Sequence, residues 1–310
     1  MRRGAEYRFQ LNLQPDRLAV TVYDSRNSLE IPVQWAFGAG GQAVTLVSRI
    51  DRNWYLEHYL TYYTRLRAMG PTPGHQDRAP GSLPEAAGFV YKSRDPAAGI
   101  VQCFACHSTG PVDSSHAAIE PAEPGVHCEA CHGPGSLHSK AGGGRNNIVN
   151  PKKSPEACFT CHLDKRGEFS LPSSHPVKNG HVSCVDCHDV HEGNAIKGTG
   201  AALETMNETC VKCHTAQKGP FVFEHAAVKE GCVTCHNPHG SVNQKMLVAR
   251  DANLCLRCHL ETPVALGQID ANAIKHTGES HNSRLMTGTC WSAGCHEAIH
   301  GSNANNHFRR

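Results

Sequence analysis

The stretch CVTCHNPHGS, residues 232–241, sets two cysteines three apart, a histidine directly behind the second, and another histidine three residues further on. The same C-x-x-C-H spacing recurs throughout the chain. It joins Cys103, Cys106 and His107; Cys128, Cys131 and His132; Cys158, Cys161 and His162; Cys184, Cys187 and His188; Cys210, Cys213 and His214; Cys232, Cys235 and His236; and Cys255, Cys258 and His259. An eighth copy, CWSAGCH, is stretched by two residues and holds Cys290, Cys295 and His296. These motifs consume all 16 cysteines of the 310-residue chain.

Three chemistries use paired cysteines. Disulfides staple secreted domains, but they do not require histidine behind every second cysteine. Zinc ribbons use C-x2-C pairs and are equally indifferent to that histidine. With 22 histidines in the chain, histidine fills about one position in fourteen. Eight chance placements in a row have a probability on the order of 10⁻⁹. Covalent c-type haem attachment accounts for all three residues: each thiol adds to a haem vinyl group, and the adjacent imidazole reaches the iron from the same turn. The expectation is eight c-type haems, with the two extra residues of CWSAGCH bulging out of their loop. The proximal iron ligands are then His107, His132, His162, His188, His214, His236, His259 and His296.

The second histidine of the opening stretch, His239, belongs to a larger repeat. Each unit holds two attachment motifs, with one spare histidine between them and another just after the second. The four units supply His116 and His138, His175 and His191, His225 and His239, and His281 and His300. These eight are the candidate distal ligands. His181 and His276 are alternatives within the repeat, while His127 abuts Cys128 and is expected to point away. His58, His75 and His307 lie outside the repeat and are secondary candidates, including across an interface with a neighbouring molecule. A second imidazole makes a haem iron six-coordinate and closes it to substrate, whereas methionine in that place raises its potential. The five methionines occupy no fixed place in the repeat, so histidine on both faces is expected. Which histidine serves which haem is left open.

Composition fits that interior. Aromatic residues are 6% of the chain and the mean hydropathy is −0.43, little apolar side chain for a core of this size. From residue 103 on there are 26 residues per motif, too few to bury a porphyrin alone, so the haems are expected to pack on one another and form the core. Loops rich in Gly and Pro with short helices at the motifs should surround them. Acidic and basic residues nearly cancel, 28 against 30, and leave no nucleic-acid footprint. No window is apolar enough to span a membrane. The opening MRRGAEYRFQ lacks the apolar run of a complete signal peptide.

Residues 1–102 have no cysteine and a different texture. EYRFQLNL, RLAVTVYD, SLEIPVQWAFG and QAVTLVSRI are strand-like runs broken by YDSRNS and FGAGGQ. NWYLEHYLTYYTRLRAMG reads as a strand followed by a turn or short helix, and GPTPGHQDRAPGSLPEAAG as a connector. The fold class expected is therefore a small β-rich domain over 1–102 and a haem-packed, mostly irregular domain with short α-helices over 103–310. The first should cap the second, and its Trp35, Trp54 and tyrosines belong to its core.

CVDCHDVHEG, CVTCHNPHGS and the upstream SHPVKNGHVSC resemble multihaem c-type cytochromes of the doubled-CXXCH family. GVHCEACHGPGSLH is similar to a stretch of multihaem cytochromes related to the carriers of hydroxylamine oxidation, and CHEAIHGSN to the terminal unit of such proteins. The resemblance covers about 103–305 and implies bis-histidine haem chains and export before assembly; the C-x4-C-H site and the N-terminal β segment depart from it. The leading functional expectation is electron transfer along closely packed haems, without enzymatic activity and with redox proteins or extracellular acceptors as partners. The rival is an oxidoreductase with one open haem acting on a small nitrogen or sulfur compound, although the C-x-x-C-K motif of related nitrite reductases is missing; haem storage is a third class. Thioether formation places the chain in the periplasm or outside the cell. Histidines near both extremities suggest an end-to-end homopolymer forming a filament.

Overall fold

The computed structural model describes residues 6–38, 43–64, 66–77, 79–92, 99–113, 120–191, 203–259, 290–291 and 295–309. Two compact units divide at 151/152, not at 102/103 where the cysteines begin, so the first two motifs fold with the β-strands.

The first unit is built on two antiparallel sheets. Strands β1 (Arg8–Gln14), β2 (Arg17–Tyr23) and β3 (Ser28–Val33) form one, with Leu11 opposite Val20 and Val20 opposite Ile31. Strands β4 (Trp35–Phe37), β5 (Ala43–Asp51), β6 (Trp54–Tyr63) and β7 (Ala68–Pro71) form the other, with β8 (Gly88–Lys92) also pairing with β6. Alternation decides where each side chain goes. Val20, Val22 and Ile31 face Leu46 and Leu56 between the sheets. Val47 and Tyr55 point to the opposite face, where Ile100 and Phe104 of helix α2 (Ile100–His107) cover them.

The aromatic run after Asn53 is one long strand and a turn into β7, so the alternative of a short helix there is not realised. The Pro/Gly-rich connector does hold a helix, α1 (Leu83–Ala87). Ser82 caps it by accepting from the Glu85 amide at 3.5 Å, and Ala86 and Ala87 enter the sandwich core. Gly88 follows with φ of 155°; a Cβ there would lie 1.9 Å from the Glu57 carbonyl oxygen, so only glycine lets β8 join β6. Two further strands, β9 (Ser108–Asp113) and β10 (Glu120–Pro124), pair beyond α2.

The second unit contains short helices joined by loops. They are α5 (Glu156–Phe159), α6 (Leu163–Glu168), α7 (Cys184–Cys187), α8 (Leu203–Val211), α9 (Ala226–Glu230) and α10 (Ala252–Leu256), after α3 (Cys128–His132) and α4 (Ser136–Lys140) of the first unit. None described exceeds nine residues, and no described helix is long and apolar enough to cross a membrane. A three-residue apolar cluster, Phe159, Phe169 and Val177, is the one sizeable side-chain core described in this unit. Among the described residues of this unit that is little side-chain burial to hold the fold alone.

Candidate haem-attachment sites

A C-x-x-C-H stretch in one helical turn puts both thiols and the imidazole on one side, because residues three and four apart share a helix face. The structure closes this turn repeatedly. The histidine amide donates to the first cysteine's carbonyl in His162 to Cys158 (2.9 Å), His188 to Cys184 (2.9 Å), His214 to Cys210 (3.0 Å), His236 to Cys232 (3.0 Å) and His259 to Cys255 (3.0 Å). His296 donates to Cys290 at 3.0 Å across its longer loop. The stretched motif therefore makes the same closing hydrogen bond as the regular ones. In the first unit the motifs lie in α2 and α3, and buried Phe104 between Cys103 and Cys106 anchors the first to Tyr55 and Trp35.

The cysteine side chains of neighbouring motifs meet. The Cys184 thiol is hydrogen-bonded to Cys158, Cys232 to Cys210, and Cys290 to Cys255. These contacts hold the first-named of each pair down to about 7 and push Cys210 and Cys255 up. Burial raises the Cys103 thiol to about 11. The next repeat follows on directly: Cys187 lies within the field of Cys210, and Cys235 within that of Cys258. From 158 to 296 each attachment site thus neighbours the next in chain order.

Histidines meet in twos. His175 and His214 have ring centroids 6.1 Å apart, His188 and His239 6.1 Å, His225 and His259 6.0 Å, and His236 and His300 6.1 Å. Every pair joins a histidine that follows a cysteine pair to one of the spare histidines. Every pair also crosses a repeat boundary: His175 meets the motif of the following repeat, and His239 that of the preceding one. Aromatic stacking alone would allow centroid separations of roughly 4.5–7 Å, yet the four values agree within 0.1 Å. Two imidazole–metal bonds of about 2.0–2.1 Å each, plus two ring radii, fill that gap. The donor set therefore fits one metal between each pair.

Hydrogen bonds at the other ring nitrogen agree. A carbonyl or carboxylate oxygen can only accept, so a ring nitrogen facing one carries the proton and leaves the other nitrogen's lone pair free for a metal. The Nδ1 of His175 donates to the Pro238 carbonyl (2.6 Å), His236 to Lys245 (2.8 Å), His132 to Val149 (2.9 Å), His296 to His307 (2.6 Å) and His239 to the Glu168 carboxylate (3.1 Å). All five keep Nε2 available. His127 does the reverse and donates Nε2 to the Pro124 carbonyl at 2.9 Å, in line with its expected place away from the site.

Burial corrects the secondary candidates. His75 commits Nε2 to the Glu57 carboxylate at 3.2 Å, and His58 shares Nε2 with the Ser48 hydroxyl at 2.7 Å. Both are 1–2% exposed inside the β unit, and burial lowers His58 to about 4. They are structural residues and cannot reach a neighbouring molecule. Among the other distal candidates, His138 lies on α4 with a buried Nδ1 that has no hydrogen-bond partner, and no second imidazole is beside it among the described residues. His191 is exposed. His116, His281 and the alternative His276 lie outside the described residues, and His181 is exposed. His107 stacks on Phe37 at 4.7 Å and 5°, a contact that sequence reading missed because Phe37 reads as an ordinary strand residue.

The description "Doubled CXXCH motif" matches residues 175–219 and 225–263, and "Cytochrome c554 and c-prime" matches 85–133. A curated relative, the multiheme cytochrome MtrA of Shewanella baltica (strain OS185), is 32% identical over 161 residues, 51% of this chain and 46% of that protein. The chain therefore spans about half the length of that relative. The crystal structure of the outer cell wall cytochrome OcwA is 18% identical and covers 71% of this chain and 53% of its own, at a TM-score of 0.25, which carries no argument about the fold. Motif spacing, closed attachment turns and these matches lead to one conclusion: the chain is a multihaem c-type cytochrome of the doubled-CXXCH family.

Proposed function

We propose that this chain carries electrons along eight covalently attached haems held by histidine on both faces. The observation that carries the reading is the set of four imidazole pairs at 6.0–6.1 Å. When bound, each haem supplies an iron that gains or loses one electron. The residues do the rest. His214 and His175, His188 and His239, His259 and His225, and His236 and His300 would hold four of the haems between them and would leave no position there for a substrate. The adjoining thiols, 158 to 184, 187 to 210, 210 to 232, 235 to 258 and 255 to 290, set consecutive sites side by side, so the order of sites along the conductor follows the order of motifs in the sequence. With so small a side-chain core, the second unit owes its interior to the haems.

Attachment through thioethers supports export to the periplasm or beyond, with redox proteins or extracellular acceptors as partners. The proposal stops at the single chain. An end-to-end homopolymer loses two of the three histidines that suggested it, since His58 and His75 are buried, leaving only the exposed His307. The rival reading, an oxidoreductase with one open haem, has one feature in its favour: the His107 ring stacks on Phe37, a side chain that cannot ligate iron. A ferric high-spin signal that carbon monoxide converts on reduction would favour that reading, with the open site at His107.

The direct test is stoichiometry. Pyridine haemochrome titration with intact mass should give eight haems per chain, including one at Cys290 and Cys295; seven or fewer would overturn the count. Spectroscopy should also separate the sites. The planes of His175 and His214 are 64° apart, against 16–29° in the other three pairs. Near-perpendicular imidazoles leave the iron d orbitals closer in energy. Ferric electron paramagnetic resonance should therefore show one site with a larger maximum g value, a signal that His175→Ala removes.

A further inference from the structure

We propose that Glu168 sets the potential of the haem attached at Cys184 and Cys187, making it lower than that of sites whose ligands donate to neutral carbonyls. The inference rests on the ligation proposed above, in which His188 and His239 share that iron. Where an acceptor is identified for the Nδ1 of His175, His236, His132 and His296, it is a backbone carbonyl. His239 instead donates Nδ1 to a carboxylate, Glu168 Oε2 at 3.1 Å, and both side chains are about a quarter exposed. A ligand histidine that donates to a carboxylate is more basic, because the proton on Nδ1 is drawn away and the ring gains negative character. A more basic ligand stabilises the ferric over the ferrous iron.

The local chain is built for this contact. Glu168 ends α6, and Lys165 one turn earlier holds its other oxygen at 2.7 Å while also meeting Asp164 at 3.0 Å. Gly240, directly after His239, passes so close that a Cβ would sit 2.1 Å from the Glu168 carbonyl oxygen. Phe169 meets the edge of the His239 ring at 5.4 Å, and Ser241 and Ser173 exchange backbone hydrogen bonds at 2.8 and 3.2 Å. Helix α6, the strap 238–241 and the imidazole are therefore held in one register. Glu168 acts through His239, as a positioning residue. In the electron step it affects, a neighbouring reduced site loses one electron and the His188/His239 site gains it, with no bond or proton exchanged. A lower potential makes that site a step that electrons must climb.

The test is potentiometric titration of the full holoprotein, followed by optical and electron paramagnetic resonance spectra. Glu168→Gln keeps an oxygen to accept from Nδ1 but removes the charge. One midpoint should rise by about tenfold in its reduction equilibrium, about 59 mV for one electron, with the haem count unchanged. Glu168→Asp should recover most of the wild-type value. If Glu168→Gln loses haem, Lys165→Met decides: with its cation gone the carboxylate acts more fully on His239, and the same midpoint should fall. Unmoved midpoints in a variant with full haem content, or an equal shift of every site, would overturn the role of Glu168. The ligation is tested separately: if His239→Ala leaves every iron low-spin with both midpoints and spectra unchanged, the reading beneath the proposal fails instead.

Discussion

Replacing His300 by methionine is expected to turn one site of the chain into an electron trap. His300 faces His236 across 6.1 Å with planes 16° apart; its side chain is exposed, yet desolvation, with the neighbouring imidazole of His236, lowers its basicity. A thioether is a weaker donor than imidazole and favours ferrous iron. Axial ligand choice spans roughly 0.8 V across haem proteins, so one midpoint should rise by on the order of a few tenths of a volt, with a methionine-to-iron absorption band appearing. The site that moves should be the one attached at Cys232 and Cys235, although His300 lies in the repeat of Cys290 and Cys295. The shift should therefore persist when Cys290 and Cys295 are both changed to serine. Loss of the shift in that background would assign His300 to its own repeat.

The second large effect is on stability. Phe104→Ala should destabilise the β-rich unit by about 3–5 kcal/mol, the range for removing a buried aromatic ring. Phe104 is fully buried, 5.2 Å from Trp35, 5.5 Å from Phe37 and 6.3 Å from Tyr55. It is the link between the first attachment turn and the sheet, so its loss also frees His107 from Phe37. Guanidinium unfolding of the holoprotein, followed by far-ultraviolet circular dichroism, reads the change in the transition of this unit. A change under 1 kcal/mol would mean that α2 is held by something other than this ring cluster.

Particular residues show what the sequence made legible. The eight attachment motifs and the strand runs of the first unit are local patterns, and each was readable because a handful of adjacent residues, five in a regular motif and seven in the stretched one, suffices. The expected bulge in CWSAGCH lies outside the described residues. The pairing of His175 with His214, or His239 with His188, was not, since repeats of near-equal spacing place a spare histidine equally near its own motif and the next one. His58 and His75 look like any spare histidine in sequence; alternation along β6 turns His58 onto Ser48 of β5, while His75, in the loop after β7, is held by Glu57 of β6. Helix α1 carried a readable signal, Ser82 with Glu85 three residues on, hidden inside a Pro/Gly-rich run. The division at 151/152 depends on Phe104 and Ile100 packing onto Val47 and Tyr55, a contact between segments more than forty residues apart.

Iron-edge anomalous diffraction from crystals of the holoprotein addresses the ligation itself. It should place an iron midway between the rings of His188 and His239, His214 and His175, His236 and His300, and His259 and His225, in that order of attachment along the chain. Iron peaks beside His188 or His236 with His239 and His300 turned to other partners would contradict it.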